Sequence, residues 1–299
     1  MQEGPERAQA LTILKTRAMR HRPMVHRYEI TDKGGFESGR SHHRHALSLN
    51  FRAHTHFPVD THEVKPEEWT RTRGMRRMRA ALQSTLLFPA LSSFCSLTVR
   101  ERDLLKELKG PAVFVSNHVS ALDAVVMAHA LPSRYRHRSV VVAAADSIFK
   151  RKWEARLAQV TVDAFPIPRS GGARPHLEYL KQLMQKNWSV IIFPEGRLTA
   201  TGAIGNFRKG AAVLAMDVGA PIVPAFLDGM FDVLPRFRRM PRPGRVTVTF
   251  GAPMDAEQGD DYDSFIAKVE ARVRALAGPK GIAVEPEGSS RSEGPNYWY

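Results

Sequence analysis

The feature that most constrains the fold is an alternation, beyond residue 110, of short apolar runs with longer stretches that suit helices. The runs read AVFVS, SVVVAAA, SVIIF, PIVPAFL and RVTVTF, at residues 112–116, 139–145, 189–193, 221–227 and 245–250. Plausible helices lie near residues 123–131, 150–159, 174–185, 209–218 and 262–276. Continuous apolar strands that alternate with helices are typical of a parallel sheet covered on both faces. We therefore predict an α/β fold with a central, largely parallel sheet, helices on both faces and a preceding amphipathic helix.

The overall charge narrows the choice of partners. Hydrophobic residues make up 43% of the chain and charged residues 25%, which is ordinary for a globular protein, but the net charge is +14. This positive charge indicates a negatively charged partner, which could be nucleic acid, an anionic membrane surface or a phosphorylated substrate. The alternative is that it is only a solvated basic surface. No G-x-G-x-x-G or P-loop motif is present, which disfavours a nucleotide-binding α/β protein. The lone Cys95 excludes an internal disulfide framework and fits a reducing compartment.

The first 70 residues differ from the rest, because their apolar residues follow neither a helical nor an alternating period. We expect residues 1–70 to be disordered or loosely attached, residues 100–278 to form the main domain and residues 279–299 to be a tail. The opening residues lack the apolar stretch of a signal peptide. Most histidines lie in this first part, including His42, His43 and His45, but without a cysteine or carboxylate framework we expect no metal site.

Residues 71–99 join a basic run to an uncharged stretch. Five arginines lie between Arg71 and Arg79, and the following twenty residues carry no charge. Apolar residues recur at intervals of four, as one helix face would require: Met78, Leu82, Leu86, Ala90 and Phe94. We predict an amphipathic helix lying in a membrane interface, with its arginines on anionic headgroups. Packing of this helix on the protein's own core is the alternative.

The sequence Ser-Asn-His-Val-Ser-Ala-Leu-Asp, at residues 116–123, follows an apolar strand and opens a helix. It therefore lies at the carboxyl end of a strand, where open α/β sheets bind ligands. His118 and Asp123 would lie roughly 140° apart on a regular helix. They can pair if His118 occupies the turn and folds back over the first helical turn, which would leave one imidazole nitrogen as a general base. Asp123 could also form a capping box with Ser120.

Two further segments bring cations toward the same edge. In Phe-Pro-Glu-Gly-Arg, at residues 193–197, Gly196 permits close approach of a ligand, Arg197 suits phosphate and Glu195 could accept a bond from a substrate hydroxyl. In residues 165–172 a stiff extended segment presents Arg169, and Lys209 lies at another helix start. Solvated surface residues are the alternative for these cations.

The chain resembles the phospholipid and glycerol acyltransferase family, which includes 1-acylglycerol-3-phosphate acyltransferase. Four family motifs occur in order: N-H-x-S-x-x-D at residues 117–123, a short strand ending in arginine at 165–169, F-P-E-G with arginine at 193–197, and a proline-bounded strand at 221–224. Arginine directly follows glycine in the third motif, where many members have threonine between them, and Pro168 precedes the arginine of the second, where many members have an acidic or polar residue.

The resemblance implies an O-acyltransferase that moves a fatty acyl group from acyl-CoA or acyl carrier protein to a lysophospholipid or glycerol phosphate. His118 would be the base, oriented by Asp123. The phosphate would be held by Arg169, Arg197 and Lys209, and Glu195 would place the glycerol. No metal or redox cofactor is implied, and a cytoplasmic protein on an anionic membrane face is expected. A thioester hydrolase and a non-catalytic phospholipid-binding protein are the alternatives; no nucleic-acid-binding motif appears.

Overall fold

The computed structural model describes residues 28–30, 36–38, 68–149, 151–168 and 172–281. Within the first 59 residues, which form a unit of their own, strands β1 (Tyr28–Ile30) and β2 (Phe36–Ser38) pair as an antiparallel hairpin. Apart from residues 68–70, the remaining residues of the segment expected to be disordered, its histidine tract included, lie outside the described residues, as does most of the expected tail.

A seven-stranded sheet forms the centre of the second unit, in the order β3-β9-β8-β4-β7-β5-β6. Every neighbouring pair is parallel except β8 with β9. The predicted α/β architecture is therefore confirmed. The strands are β3 (Cys95–Arg100), β4 (Val113–Ser116), β5 (Ser139–Ala144), β6 (Ala164–Ile167), β7 (Ser189–Ile192), β8 (Ile222–Asp228) and β9 (Gly244–Phe250).

Helices cover both faces of this sheet. The helices are α1 (Arg73–Leu82), α2 (Phe88–Ser92), α3 (Asp123–Ala130), α4 (Ser133–Arg136), α5 (Lys152–Val162), α6 (Ala173–Gln185), α7 (Gly210–Val218), α8 (Met230–Val233) and α9 (Tyr262–Ala277). Residues Val113 and Val115 of β4 pack into one apolar cluster with α6, α7 and α9, whereas the intervening Phe114 packs into the other cluster with α2 and α3. Because alternate residues of a strand face opposite ways, four residues of β4 supply both cores.

Edge strand β3 was not predicted, whereas the other edge strand, β6, was expected from the family resemblance as a short strand within residues 165–169. Strand β3 has an alternating pattern of buried and exposed residues, and β6 buries only its first two residues. Edge strands are paired on one side only, so they lack the long apolar run that identifies a central strand. As a consequence, the helical segment predicted over residues 71–99 ends at Ser92, and its last residues belong to the sheet.

Helix α1 docks on the protein through polar side chains. Arg79, which is 4% exposed, donates to the carbonyls of Gln159 and Val160 at 2.8 and 2.9 Å, and its Nη1 lies 3.6 Å from Asp163. These carbonyls belong to the last turn of α5, where intrahelical donors run out; the Gln159 carbonyl also accepts the Asp163 N–H at 3.1 Å. Gln83 adds a bond to the Thr161 carbonyl at 2.8 Å. The side chains of this helix therefore cap α5.

This arrangement corrects the expected placement of the arginines. Arg71 also turns inward, with Nε 3.4 Å from Asp163, so at least two of the five arginines hold the fold together and do not reach outward. The alternative, packing on the protein itself, holds for this face of the helix. Met78 and Leu86 of the predicted apolar face remain 47% and 61% exposed. Among the described residues, no helix is both long and apolar enough to cross a bilayer.

Candidate active site

The loops after β4 and β7 lie side by side, because these two strands are neighbours and run parallel. The first loop carries His118 and the second carries Phe193 and Glu195. The rings of His118 and Phe193 stack with centroids 4.4 Å apart. The His118 backbone N–H donates to Glu195 Oε1 at 2.9 Å, and the Thr199 N–H donates to the His118 carbonyl at 3.0 Å. The predicted convergence of the two loops is present.

The pairing predicted for His118 and Asp123 is also present. Nδ1 of the imidazole lies 3.0 Å from Asp123 Oδ2, on a carboxylate that is fully buried at the start of α3. The same oxygen accepts the backbone N–H groups of Val119 at 2.7 Å and Ser120 at 2.8 Å. Because a carboxylate oxygen can only accept, Nδ1 is held as the donor and Nε2 is left as the basic nitrogen. The His118 side chain is 20% exposed, so Nε2 belongs to a ring that a substrate can reach.

The capping interpretation of Asp123 is half right. Its carboxylate accepts the Ser120 N–H, as a capping box requires, but the Ser120 hydroxyl accepts from Leu122 at 3.3 Å and not from Asp123. The carboxylate thus fixes the backbone of the turn and the imidazole at the same time.

Asn117 has a role that the sequence reasoning missed. Its side chain is 1% exposed; Nδ2 donates to the Leu227 carbonyl at 3.0 Å, and Oδ1 accepts the Leu227 N–H at 2.8 Å. A primary amide can imitate a peptide group, so this side chain extends the pairing of β4 with β8 past the end of the strand. The residue directly before His118 is therefore fixed to the sheet.

Glu195 is placed as a support. Its two carboxylate oxygens accept the backbone N–H groups of His118 at 2.9 Å and Gly205 at 3.0 Å, and the residue is 4% exposed. A Cβ at Gly205 would lie 2.9 Å from Glu195 Oε2, so glycine is needed there for the contact. The expected contact with an acceptor hydroxyl is not what this geometry favours, because the carboxylate is covered and already holds two loops together.

The predicted cations are distributed differently from expectation. Lys209 pairs with Asp263 at 3.1 Å beside the start of α9, with 58% of its side chain exposed. The neighbouring Arg208 instead lies against the Phe-Pro-Glu-Gly-Arg turn: its Nε would be 3.3 Å from a Cβ placed on Gly196, and its N–H donates to the Pro194 carbonyl at 2.9 Å. Two adjacent basic residues were visible in the sequence, but only the tertiary structure distinguishes which one faces the turn.

Gly196 has a φ of +70°, which is readily accessible to glycine and strained for other residues, and the half-buried Arg197 follows it. Arg169 lies outside the described residues. Strand β6, which precedes Arg169 in the sequence, ends at the same edge of the sheet as β4 and β7, because the neighbouring strands β4, β7, β5 and β6 are all parallel.

A cavity of about 460 Å³ opens beside the histidine loop. It is lined by Asn117 and Val119 of that loop, by Gly202, and by Phe226 and Phe231 on the β8 side, among other residues. Its walls are more apolar than polar in character, and cavities of this size accommodate small molecules or part of a longer chain. The arrangement can therefore hold an apolar group next to a histidine base.

Residues 96–228, which contain the histidine loop and the Glu195 turn, match the family model described as Acyltransferase. The stretch that holds this candidate site is therefore similar to the acyltransferase family.

Among characterised proteins, the chain is similar to 1-acyl-sn-glycerol-3-phosphate acyltransferase of Limnanthes alba, with 30% identity over 174 residues, 55% of this chain and 59% of that protein. It is also 29% identical over 149 residues to the alpha form from Mus musculus, covering 49% of this chain and 51% of that protein. The chain thus matches little more than half the length of these relatives.

The crystal structure of PlsC from Thermotoga maritima, described as a 1-acyl-sn-glycerophosphate (LPA) acyltransferase, shares the fold. Its TM-score is 0.51 with 18% sequence identity, over 73% of this chain and 84% of that one.

Proposed function

We propose that this protein transfers a fatty acyl group from a thioester donor to the free hydroxyl of a phosphate-bearing lysolipid, most plainly 1-acylglycerol-3-phosphate. The observation that carries the proposal is the 3.0 Å contact between His118 Nδ1 and the buried Asp123, in a loop whose residues Asn117 and Val119 line a mostly apolar cavity. The match of residues 96–228 to the acyltransferase family model and the names of the similar proteins support the same substrate class.

In the proposed reaction, His118 Nε2 removes the proton of the acceptor hydroxyl as its oxygen attacks the thioester carbonyl. A tetrahedral intermediate then collapses, the carbon–sulfur bond breaks, and the imidazolium returns the proton to the leaving thiolate. The products are an oxygen ester and a free thiol. Asp123 holds the imidazole tautomer and stabilises its protonated form. General base catalysis of this kind contributes typically about 10²–10⁴-fold, and holding two substrates together can contribute more.

The acceptor's phosphate would meet cations at the Phe-Pro-Glu-Gly-Arg turn. Arg197 and Arg208 flank Gly196, and a guanidinium offers the planar pair of donors that suits phosphate oxygens. Arg169 remains a proposed third contact on the strength of the family resemblance. Lys209 would contribute only by leaving Asp263, so we assign it a smaller part.

The chemistry proposed here requires neither a metal nor a redox cofactor. The donor is an acyl thioester of coenzyme A or of acyl carrier protein, and the two differ far from the reacting carbonyl. We further propose that the protein works on the cytoplasmic face of a membrane as a peripheral or monotopic protein. Exposed Met78 and Leu86 on the N-terminal helices, beside a chain of net charge +14, support contact with an anionic bilayer.

The test is a transfer assay with purified full-length protein, oleoyl-CoA or oleoyl carrier protein, and a panel of lysolipids in mixed micelles. Mass spectrometry of the lipid products and titration of released thiol are recorded together. Equal amounts of new ester and thiol, absent in the His118→Ala variant, are expected. Thiol release that does not depend on an acceptor would indicate a hydrolase, and binding of phosphatidic acid without turnover would indicate a non-catalytic protein.

A further inference from the structure

Residues 235–243, with the sequence PRFRRMPRP, form an unusual surface loop between α8 and β9. They contain four arginines, three prolines and no acidic residue. Met240 is 73% exposed, the highest value for a large apolar side chain among the described residues, and Phe237 is 59% exposed. Isolated exposed apolar residues are common, but two of them within four positions, surrounded by arginines, are not explained as a solvated surface.

The loop is held in this shape at its base. The Arg238 N–H donates to the Pro235 carbonyl at 3.0 Å, and the Arg242 N–H donates to the Val233 carbonyl at 2.9 Å. Pro235 and the preceding Leu234 are buried. Each proline also fixes one backbone angle. Phe237 and Met240 therefore project from a loop whose backbone is anchored at its base.

The loop lies at the edge of the sheet that carries His118. Strands β8 and β9 are antiparallel, with Asp228 opposite Thr247, so β9 begins where β8 ends. Strand β8 in turn lies beside β4 and runs parallel to it. Phe237 packs edge-on against Phe231, with ring centroids 6.1 Å apart, and Phe231 lines the cavity beside the histidine loop. A surface that holds the tip of this loop would therefore lie next to the mouth of the cavity.

We propose that residues 235–243 dock the protein on an anionic lipid bilayer, with Phe237 and Met240 inserted at the boundary of headgroups and acyl chains and the arginines on lipid phosphates. Apolar side chains flanked by cations are the combination that interfacial lipid contact requires. This contact is separate from the one proposed for Met78 and Leu86. It does not depend on the catalytic proposal, because binding to a bilayer needs no turnover. With that proposal, it would let the acceptor enter the cavity directly from the bilayer.

Cosedimentation of the full chain with two kinds of vesicle tests the proposal. One kind is phosphatidylcholine alone, and the other is equal parts of phosphatidylcholine and phosphatidylglycerol. The double variant Phe237→Ser/Met240→Ser should bind the anionic vesicles at least about tenfold less tightly. The double variant Arg239→Gln/Arg242→Gln should lose about fivefold per arginine on anionic vesicles at low salt, with little change on neutral ones.

Matched controls come from other exposed positions. Leu104, which is 37% exposed, follows the end of β3 at the opposite edge of the sheet, and Arg272 is exposed on α9. Leu104→Ser and Arg272→Gln should leave vesicle binding unchanged. Circular dichroism and the thermal midpoint confirm that each variant folds. Losses as large in the controls as in the loop variants would overturn the proposal.

A labelling experiment reports the contact directly. Met240→Cys is labelled with an environment-sensitive fluorophore, since the single native cysteine, Cys95, is 2% exposed. A blue shift is expected on anionic vesicles, and none is expected for a label at Leu104→Cys. An unshifted label at position 240, or vesicle binding unaffected by the loop variants, would refute the docking surface. Binding of an oligonucleotide is measured on the same proteins. If the loop variants lose oligonucleotide binding but keep vesicle binding, the loop is a nucleic-acid surface instead.

Failure of the docking proposal and failure of the catalytic proposal give different results. With a short-chain lysolipid that is monomeric in water, the loop variants should retain wild-type transfer, whereas with vesicle-embedded lysolipid they should lose it in proportion to binding. If wild-type protein transfers nothing but the loop variants still bind anionic vesicles more weakly than wild type, the catalytic proposal fails and the docking surface stands. If transfer is normal and the loop variants bind vesicles as wild type does, the docking surface fails and the catalytic proposal stands.

Discussion

Two buried charges in this molecule are held by backbone groups in opposite ways. Asp123 accepts N–H groups from a turn at the carboxyl edge of the sheet, and Arg79 donates to carbonyl groups at the end of α5. Both are at most 4% exposed. Asp123 also holds the imidazole of His118, a ring that reaches solvent. Arg79 has the buried Asp163 as its ionic neighbour.

The comparison separates a charge that serves chemistry from one that serves architecture. Burial lowers the pKa of the Arg79 guanidinium, and Asp163 opposes that shift. A buried charge of this kind is tolerated only while its partners remain, so substitution of Arg79 should lower the free energy of unfolding. Substitution of Asp123 or His118 should mainly lower the turnover rate. Each of the following predictions tests this division, from the largest expected effect to the smallest.

His118→Ala should reduce kcat for acyl transfer by about 10²–10⁴-fold, because the base is lost. Asp123→Asn should also reduce it severely, since the amide cannot stabilise an imidazolium as a carboxylate does. The measurement is initial rate at saturating substrates, with urea unfolding to show that the fold persists. Asp103→Asn is the control, because that carboxylate is 85% exposed and pairs with the exposed Lys106. Activity of His118→Ala above about a tenth of wild type would contradict the mechanism.

Arg79→Ala should lower the free energy of unfolding by about 3–5 kcal/mol, because Asp163 and the α5 carbonyls lose their buried partner. Arg77→Ala, exposed on the same helix, should change it by less than about 0.5 kcal/mol. Urea titrations measure both. Arg79→Lys should not restore the loss, since a lysine cannot donate from two fixed nitrogens at once. A stable Arg79→Ala protein with impaired catalysis would reverse the assignment of this residue.

The pairing of His118 with Asp123 was predictable because the contacts of Asp123 are local. Asp123 binds groups three to five residues away, so spacing and one turn determine the arrangement. The same holds for the central strands, whose apolar runs need no tertiary information. The four ordered motifs all lie within residues 96–228, the stretch that matches the acyltransferase family model.

The role of Arg79 was not predictable, because its carbonyl acceptors lie some eighty positions along the chain. Counting arginines in residues 71–79 indicated a basic surface, but the open end of α5 and Asp163 turn two of them inward. The choice between Arg208 and Lys209 likewise depends on where α9 begins, since Asp263 holds the lysine. Charge can be counted in a sequence, whereas the direction of each side chain is decided by distant partners.

Glu195→Gln tests a buried charge whose role lies between the catalytic one proposed for Asp123 and the structural one of Arg79. If the carboxylate supports the loop of His118, kcat should fall by about 10–100-fold with little change in the KM for the acceptor, because one backbone N–H loses a charged partner. If it touches the acceptor hydroxyl, KM should rise. Steady-state kinetics with the acceptor varied distinguish the two. Gly205→Ala, which would press on the same carboxylate at 2.9 Å, should reproduce the kcat loss.

The smallest expected effect separates two adjacent cations. Arg208→Gln should raise the KM for a phosphorylated lysolipid by about 5–10-fold, because its guanidinium lies beside Gly196 and a solvated contact to phosphate is worth about 1 kcal/mol. Lys209→Gln should change KM by less than about twofold, since its ion pair with Asp263 is exposed and contributes little. An acceptor without phosphate, such as a monoacylglycerol, should show no difference between wild type and either variant. Equal losses for both variants on both acceptors would mean that this segment supports α7 and α9, and that phosphate is read elsewhere. A loss at Lys209 alone would mean that the lysine leaves Asp263 when the acceptor binds.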